Sequence, residues 1–152
     1  MQKMKFNHPR NIRFKCTKCA LCCGDTEKKA RNILLLKIET KRISENTSKK
    51  LGDFAEKIKE FEPYAYRMKK TTGGKCVFLE GKSCMIYRSR PLICRFYPFE
   101  LQNIAKDEYV FIHTDECPGI GNGPLLRKRF FEKLFVEMLK LMGKKGVVNS
   151  EF

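Results

Sequence analysis

Residues 16–24 read Cys16-Thr17-Lys18-Cys19-Ala20-Leu21-Cys22-Cys23-Gly24, and four more cysteines, Cys76, Cys84, Cys94 and Cys117, follow through the middle of the chain. Thiolates three residues apart can turn inward on one ion or cluster, because a tight turn brings both sulfurs to one side and aims backbone N–H groups at them. The eight cysteines therefore predict a small α+β domain in which short hairpins and loops gather around metal, with a long helix at the C-terminal end.

Compartment decides between metal and disulfide, since thiols stay reduced in the cytosol and pair up outside it. Met1 to Arg10 is basic but lacks the apolar stretch of roughly 7–15 residues that an export signal needs. No segment approaches the ~20 apolar residues that span a bilayer. The expectation is a cytoplasmic metalloprotein without a membrane span, with a disulfide scaffold as the alternative that the even cysteine count permits.

The 152 residues fit one domain, and no linker, repeat or low-complexity run divides them. The formal charge is +15, a field that favours polyanions such as nucleic acid or an anionic membrane. The basic residues are scattered from Lys3 to Lys145 among Asp and Glu. That pattern favours a solvated lysine-rich surface over a dedicated nucleic-acid face.

Ile33-Leu34-Leu35-Leu36 predicts a short buried strand passing into a helix near residues 40–50. A second helix is predicted over Phe54 to Phe61, where Phe54, Ile58 and Phe61 share a face before Pro63. Tyr64, Tyr66 and Met68 alternate as in a strand, and Gly73-Gly74 marks a turn. Residues 76–87 predict a hairpin turning at Glu80 to Ser83, which would bring Cys76 and Cys84 toward each other. Arg90-Pro91 fits the opening of a helical turn carrying Cys94. A second hairpin is expected from Phe99–Ile104 and Tyr109–His113, turning at Lys106-Asp107. After the glycine-rich loop at Cys117 to Gly123, Pro124 is expected to open a helix over about 124–142, with Gly143 as its stop. Its apolar stripe, Leu126, Phe130, Leu134, Met138 and Leu141, reads as core. A partner-binding or membrane-lying role is the alternative that Arg127, Lys128, Arg129 and Lys133 suggest.

Eight thiolates divide into two four-cysteine sites, or into one site plus spare thiols. Adjacent side chains on extended backbone point to opposite sides. On that ground Cys16, Cys19 and Cys22 would contact one centre and Cys23 a second centre or the first one's surroundings. Spacing does not say which of Cys76, Cys84, Cys94 and Cys117 completes each. Zinc and an iron–sulfur cluster both accept four thiolates, and three cysteines at two-residue gaps lean slightly toward iron. His8 and His113 read as surface or satisfied core side chains. Arg88, Arg90 and Arg95 flank Cys94 and could offset thiolate charge, or grip a carboxylate or phosphate.

Three ordered motifs, Cys16 to Gly24, Cys84 to Phe99 and Cys117 to Gly123, together resemble the YkgJ-type cysteine-cluster family, whose members are described as zinc- or iron-chelating proteins. The resemblance covers roughly residues 13–123 and implies metal chelation by Cys16, Cys19, Cys22, Cys23, Cys76, Cys84, Cys94 and Cys117. Flagellin lysine N-methylases share the motifs, which implies a second reading, methyl transfer from S-adenosylmethionine to protein lysine. Those enzymes are considerably longer. No glycine-rich nucleotide loop after a strand and no serine, histidine and acid constellation is readable here, so no catalytic residue is assigned. A protein partner is compatible with either reading.

Overall fold

A computed structural model of the chain describes residues 3–143 and 147–150. Residues 1–2 and 151–152 of the expected 1–152 domain, and Lys145, lie outside the described residues. In chain order the elements are β1 (Lys3–Asn7), β2 (Arg13–Phe14), a 3-10 turn (Leu21–Cys23), β3 (Leu34–Leu35), α1 (Lys37–Thr47) and α2 (Leu51–Phe54). Next come β4 (Ala55–Lys57), β5 (Tyr66–Met68), β6 (Leu79–Glu80), β7 (Ser83–Cys84), a second 3-10 turn (Tyr87–Ser89) and α3 (Leu92–Phe96). β8 (Phe99–Ala105), β9 (Glu108–His113), β10 (Ile120–Leu125), α4 (Lys128–Leu141) and β11 (Val147–Ser150) complete the chain. This mixture of helices and small sheets is the expected α+β class. Among the described residues no helix is long and apolar enough to cross a membrane.

The chain divides into two compact units. The terminal unit joins Met1–Thr17 to Phe96–Phe152, and the inserted unit is Lys18–Arg95.

In the terminal unit, β8 and β9 form the expected hairpin, with Phe99 opposite His113 and Asn103 opposite Tyr109. Asp107 supplies the left-handed turn residue at φ 58°. The strand order is β11-β1-β9-β8, with β1 parallel to both of its neighbours. α4 lies on this sheet. The Phe131 ring sits 5.0 Å from Phe99 and 5.2 Å from Phe111, and Phe135 sits 4.9 Å from Phe6 and 5.3 Å from Tyr109.

The helix differs from the expected one at its start and in its stripe. Pro124 lies in β10, which pairs with β2 through Ile120–Phe14 and Leu125–Arg13, and the Leu126 N–H still donates to Ile12 at 2.9 Å. Proline is tolerated at a first helical position but does not compel a helix, and strand pairing carries the chain past it. With the start moved to Lys128, the buried stripe becomes Phe131, Phe135, Met138 and Leu139. Burying two phenylalanines at ~1.5–3 kcal/mol each decides which face turns inward. The helix still ends at Gly143, at φ 67°, whose N–H donates to Lys140.

In the inserted unit, Ile33, Leu35, Ile43, Phe54, Met68, Phe78 and Ile86 form the core. β3 and β4 flank β5. The expected helix over Phe54 to Phe61 is absent: Phe54 ends α2, and the chain extends into β4 with Ala55 opposite Met68 and Lys57 opposite Tyr66. Phe54 is fully buried and Phe61 is 52% exposed, so they share no face. Three apolar residues at helical spacing are outweighed by antiparallel pairing with β5 further along the chain, which a helical period does not register.

Glu39 ties α1 to the segment carrying Cys94. Its buried carboxylate accepts the Leu36 N–H at 3.0 Å and, across 53 residues, the Leu92 N–H at 2.5 Å. Burial raises its pKa, against these two donors and the nearby Arg95 and Arg42. Glu39→Gln places an amide N–H where an acceptor is needed. It is expected to cost about 1–2 kcal/mol, measured as a lower urea midpoint, and to speed alkylation of Cys94.

Candidate metal centre

The motif begins on strained backbone. Lys18 and Ala20, on either side of Cys19, are left-handed at φ 57° and 66°, a conformation costing roughly 1–2 kcal/mol for an L-residue. The Cys23 N–H then donates to the Ala20 carbonyl at 3.0 Å and closes the 3-10 turn Leu21–Cys23. Successive side chains in such a turn are rotated by ~120° rather than reversed. Cys22 and Cys23 therefore do not face opposite sides, as extended backbone would require: their sulfurs lie 3.9 Å apart.

Gly24 and Asp25 join this turn to the segment bearing Cys76. Gly24 sits at φ 141° and ψ −159°, a region essentially restricted to glycine. The Cys76 N–H donates to the Cys23 carbonyl at 2.7 Å and the Asp25 N–H to the Gly74 carbonyl at 2.9 Å. The Asp25 carboxylate accepts the Arg31 N–H at 2.8 Å and the Lys70 ammonium at 2.7 Å. The Lys70 bond, followed by the Arg31 one, pulls the Asp25 pKa down.

Cys84 ends the expected hairpin in register with Leu79, and Cys94 rides on α3. Cys23, Cys76, Cys84 and Cys94 all contact the inserted unit's apolar core. Mutual charge effects put them and Cys22 in one electrostatic neighbourhood. Cys22 is lowered to about 6, chiefly because the Cys23 thiol donates to its thiolate, with Arg31 and Arg90 adding attraction. Cys23 is raised by that same bond, then by burial and the charges of Cys22, Cys84 and Cys94. Burial pushes Cys94 up to about 12, with Cys22, Cys76 and Cys84 adding repulsion and Arg31 opposing it. Cys76 and Cys84 are raised by burial first, and each also feels Cys22.

Five of the eight candidate residues are thus gathered in one unit. Cys19 belongs to that unit and is half-buried, whereas Cys16, exposed, and Cys117, buried, belong to the terminal unit. There the Lys15 N–H donates to the Gly119 carbonyl at 3.1 Å, and a Cβ at Gly119 would stand 2.2 Å from the Lys15 oxygen. The Cys-Pro-Gly glycine is therefore explained by close approach of the chain to itself. None of the eight cysteines is joined in a disulfide. Among the described residues no three Cys, His, Asp or Glu side chains stand close enough together to enclose an ion.

The donor set fits a thiophilic ion. The groups acting on these sulfurs include other thiols, backbone N–H groups and two arginines, and thiolates select zinc, iron or copper(I) over hard cations. The arginines are not the three expected from sequence. Arg90 attracts Cys22 and Cys84, but Arg95 acts on Glu39, and the second guanidinium is Arg31, whose Nε also donates to the Cys22 carbonyl at 2.8 Å. Arg31 lies eight residues beyond the motif, and no spacing rule marks it. His8 is buried and stacked on Phe131 at 4.8 Å, while His113 is exposed beside Asp115.

Residues 15–118 match the CxxCxxCC family, described as a "putative zinc- or iron-chelating domain". An uncharacterised protein of Methanocaldococcus jannaschii is 31% identical over 163 aligned positions, covering 99% of this chain and 83% of the relative. A second uncharacterised protein of that organism is 26% identical over 153 positions, covering 93% of this chain and 51% of the relative, so this chain spans about half of it. No solved structure matches. With all eight cysteines inside the matched span, the chain belongs to the CxxCxxCC family of zinc- or iron-chelating domains.

Proposed function

We propose that this chain binds a single thiolate-coordinated metal ion, zinc before iron, through four sulfurs drawn from Cys22, Cys23, Cys76, Cys84 and Cys94. The observation that carries this reading is the packing of Cys23, Cys76, Cys84 and Cys94 against one core, with the Cys22 sulfur 3.9 Å from that of Cys23; the sulfurs would draw together on the ion. Zinc–sulfur bonds of about 2.3 Å place neighbouring sulfurs of a tetrahedral site about 3.8 Å apart. The Cys22–Cys23 separation suits two ligands of one ion better than two corners of a cluster. The iron–sulfur alternative retains the support of the Cys-x2-Cys-x2-Cys spacing, although Cys16 belongs to a different unit from Cys19 and Cys22.

Bound there, zinc would cross-link the motif, the β6–β7 hairpin and α3, and iron would add one-electron chemistry. Four thiols would remain, but one of them belongs to the same cluster as the ion, which leaves Cys16, Cys19 and Cys117 as too few for a second four-thiolate site, so one ion per chain is expected. The family match crosses both junctions between the units, which supports residues 1–152 as one functional domain. Thiolate ligands stay available in a reducing compartment, in keeping with the cytoplasmic expectation. The family description names chelation and not methyl transfer, so the methyltransferase reading gains no support.

Metal content by mass spectrometry of the native protein, purified without oxygen, tests the proposal. One zinc per chain and no visible absorption is the expected result. Four irons with broad visible absorption would replace it with a cluster, and a metal-free protein that takes up neither ion would end it.

A further inference from the structure

The segment between Cys84 and Cys94 presents chemistry that metal binding does not use. From Gly81 to Arg95 the chain carries Lys82, Arg88, Arg90 and Arg95 and no carboxylate. Ile86 is buried at 4% exposure, whereas its neighbours Met85 and Tyr87 are 62% and 57% exposed. One apolar side chain anchors the segment, and two large ones on either side of it stand in solvent. The Arg90 guanidinium lies 3.9 Å from the centre of the Tyr87 ring, and Arg90 Nε donates to the Tyr87 carbonyl at 2.9 Å. These contacts hold the ring under a cation on one face and leave its other face open. Lys82 and Arg88 are exposed.

An exposed aromatic face among cations is what a nucleotide chain recognises: bases stack on the ring, and phosphates follow the cations. We propose that this segment binds single-stranded nucleic acid, with a base on the open face of Tyr87 beside Met85, and phosphates at Lys82, Arg88 and Arg90. A duplex keeps its bases stacked on one another and offers the ring nothing. An acidic protein would be drawn by the cations without needing the ring. The inserted unit as a whole carries nineteen Lys and Arg against nine Asp and Glu, so its long-range field favours a polyanion. Charge is mixed along most of the chain, as a solvated surface requires, but over residues 81–95, as over residues 1–24, it is of one sign.

The test is fluorescence anisotropy of a labelled oligonucleotide of about ten bases, with the protein as purified. Expected are binding that weakens steeply with salt, weaker binding to the matching duplex, and about tenfold lower affinity for Tyr87→Ala but not Tyr87→Phe. Salt-insensitive or absent binding, a duplex bound as well as the single strand, an unaffected Tyr87→Ala, or displacement by an acidic peptide more readily than by oligonucleotide would overturn the proposal. Metal content and urea midpoint are measured on each variant and should not change. Failure of the nucleic-acid proposal and failure of the metal reading are thereby told apart.

Discussion

Cys94→Ser is expected to lower metal affinity by at least about a hundredfold, because a serine hydroxyl cannot replace a thiolate on a thiophilic ion. Cys94 stands on α3, among the charges of Cys22, Cys76 and Cys84, and against the inserted unit's core. Cys84→Ser, on the β6–β7 hairpin, should behave alike, while Cys16→Ser and Cys117→Ser should retain one ion. Competition with a chromogenic chelator measures all four, and circular dichroism checks that each variant is folded. Proton release adds a second readout. At pH 7 Cys22, lowered to about 6, is already a thiolate, whereas Cys23, Cys76, Cys84 and Cys94 have raised pKa values. Binding one ion through Cys22 and three of these should release about three protons. Affinity should therefore fall as pH is lowered, first through protonation equilibria of the raised thiols and then, near 6, through Cys22. Unchanged binding in Cys94→Ser and Cys84→Ser would place the ion elsewhere.

Gly24→Ala is expected to destabilise the protein by on the order of 3–4 kcal/mol and to abolish metal retention with it. A Cβ there would stand 2.5 Å from the Gly74 carbonyl oxygen and 2.7 Å from the Lys75 Cα, both backbone atoms that cannot swing aside, at a φ of 141°. Relief requires residues 74–76 to move off the motif. That breaks the Cys76-to-Cys23 and Asp25-to-Gly74 hydrogen bonds and carries the Cys76 sulfur away from Cys22 and Cys23. Gly52→Ala is the control. Nothing lies within 4 Å of its Cβ, and it sits in α2, where alanine should stabilise by about 0.5–1 kcal/mol. Urea midpoints that move equally in the two variants would refute this account.

Elements built from near neighbours were legible in the chain. The β8–β9 hairpin, the turn before Cys84, the proline-opened turn carrying Cys94 and the stop at Gly143 depend on local turn chemistry, and each is found as expected. Elements decided by which strand pairs with which were not. β4 replaces a predicted helix because Ala55 to Lys57 meet β5, and α4 starts late because β10 is held by β2. The same division runs through the candidate centre. Cys84 and Cys94 could be placed on their elements from sequence, but the 3.9 Å approach of Cys22 to Cys23 depends on a turn that two left-handed, non-glycine residues precede. No propensity predicts such residues.

By itself, the order of residues determined that this is an α+β chain of a zinc- or iron-chelating family, because cysteine spacing marks the family and residue type marks the turns. Only tertiary structure decided which thiols share a neighbourhood, that Cys16 and Cys117 belong to one unit and the other six to another, and that Arg31 attends Cys22. Electrostatic coupling depends on separation in space. That separation is set by where the core draws segments dozens of residues apart, which no local pattern records.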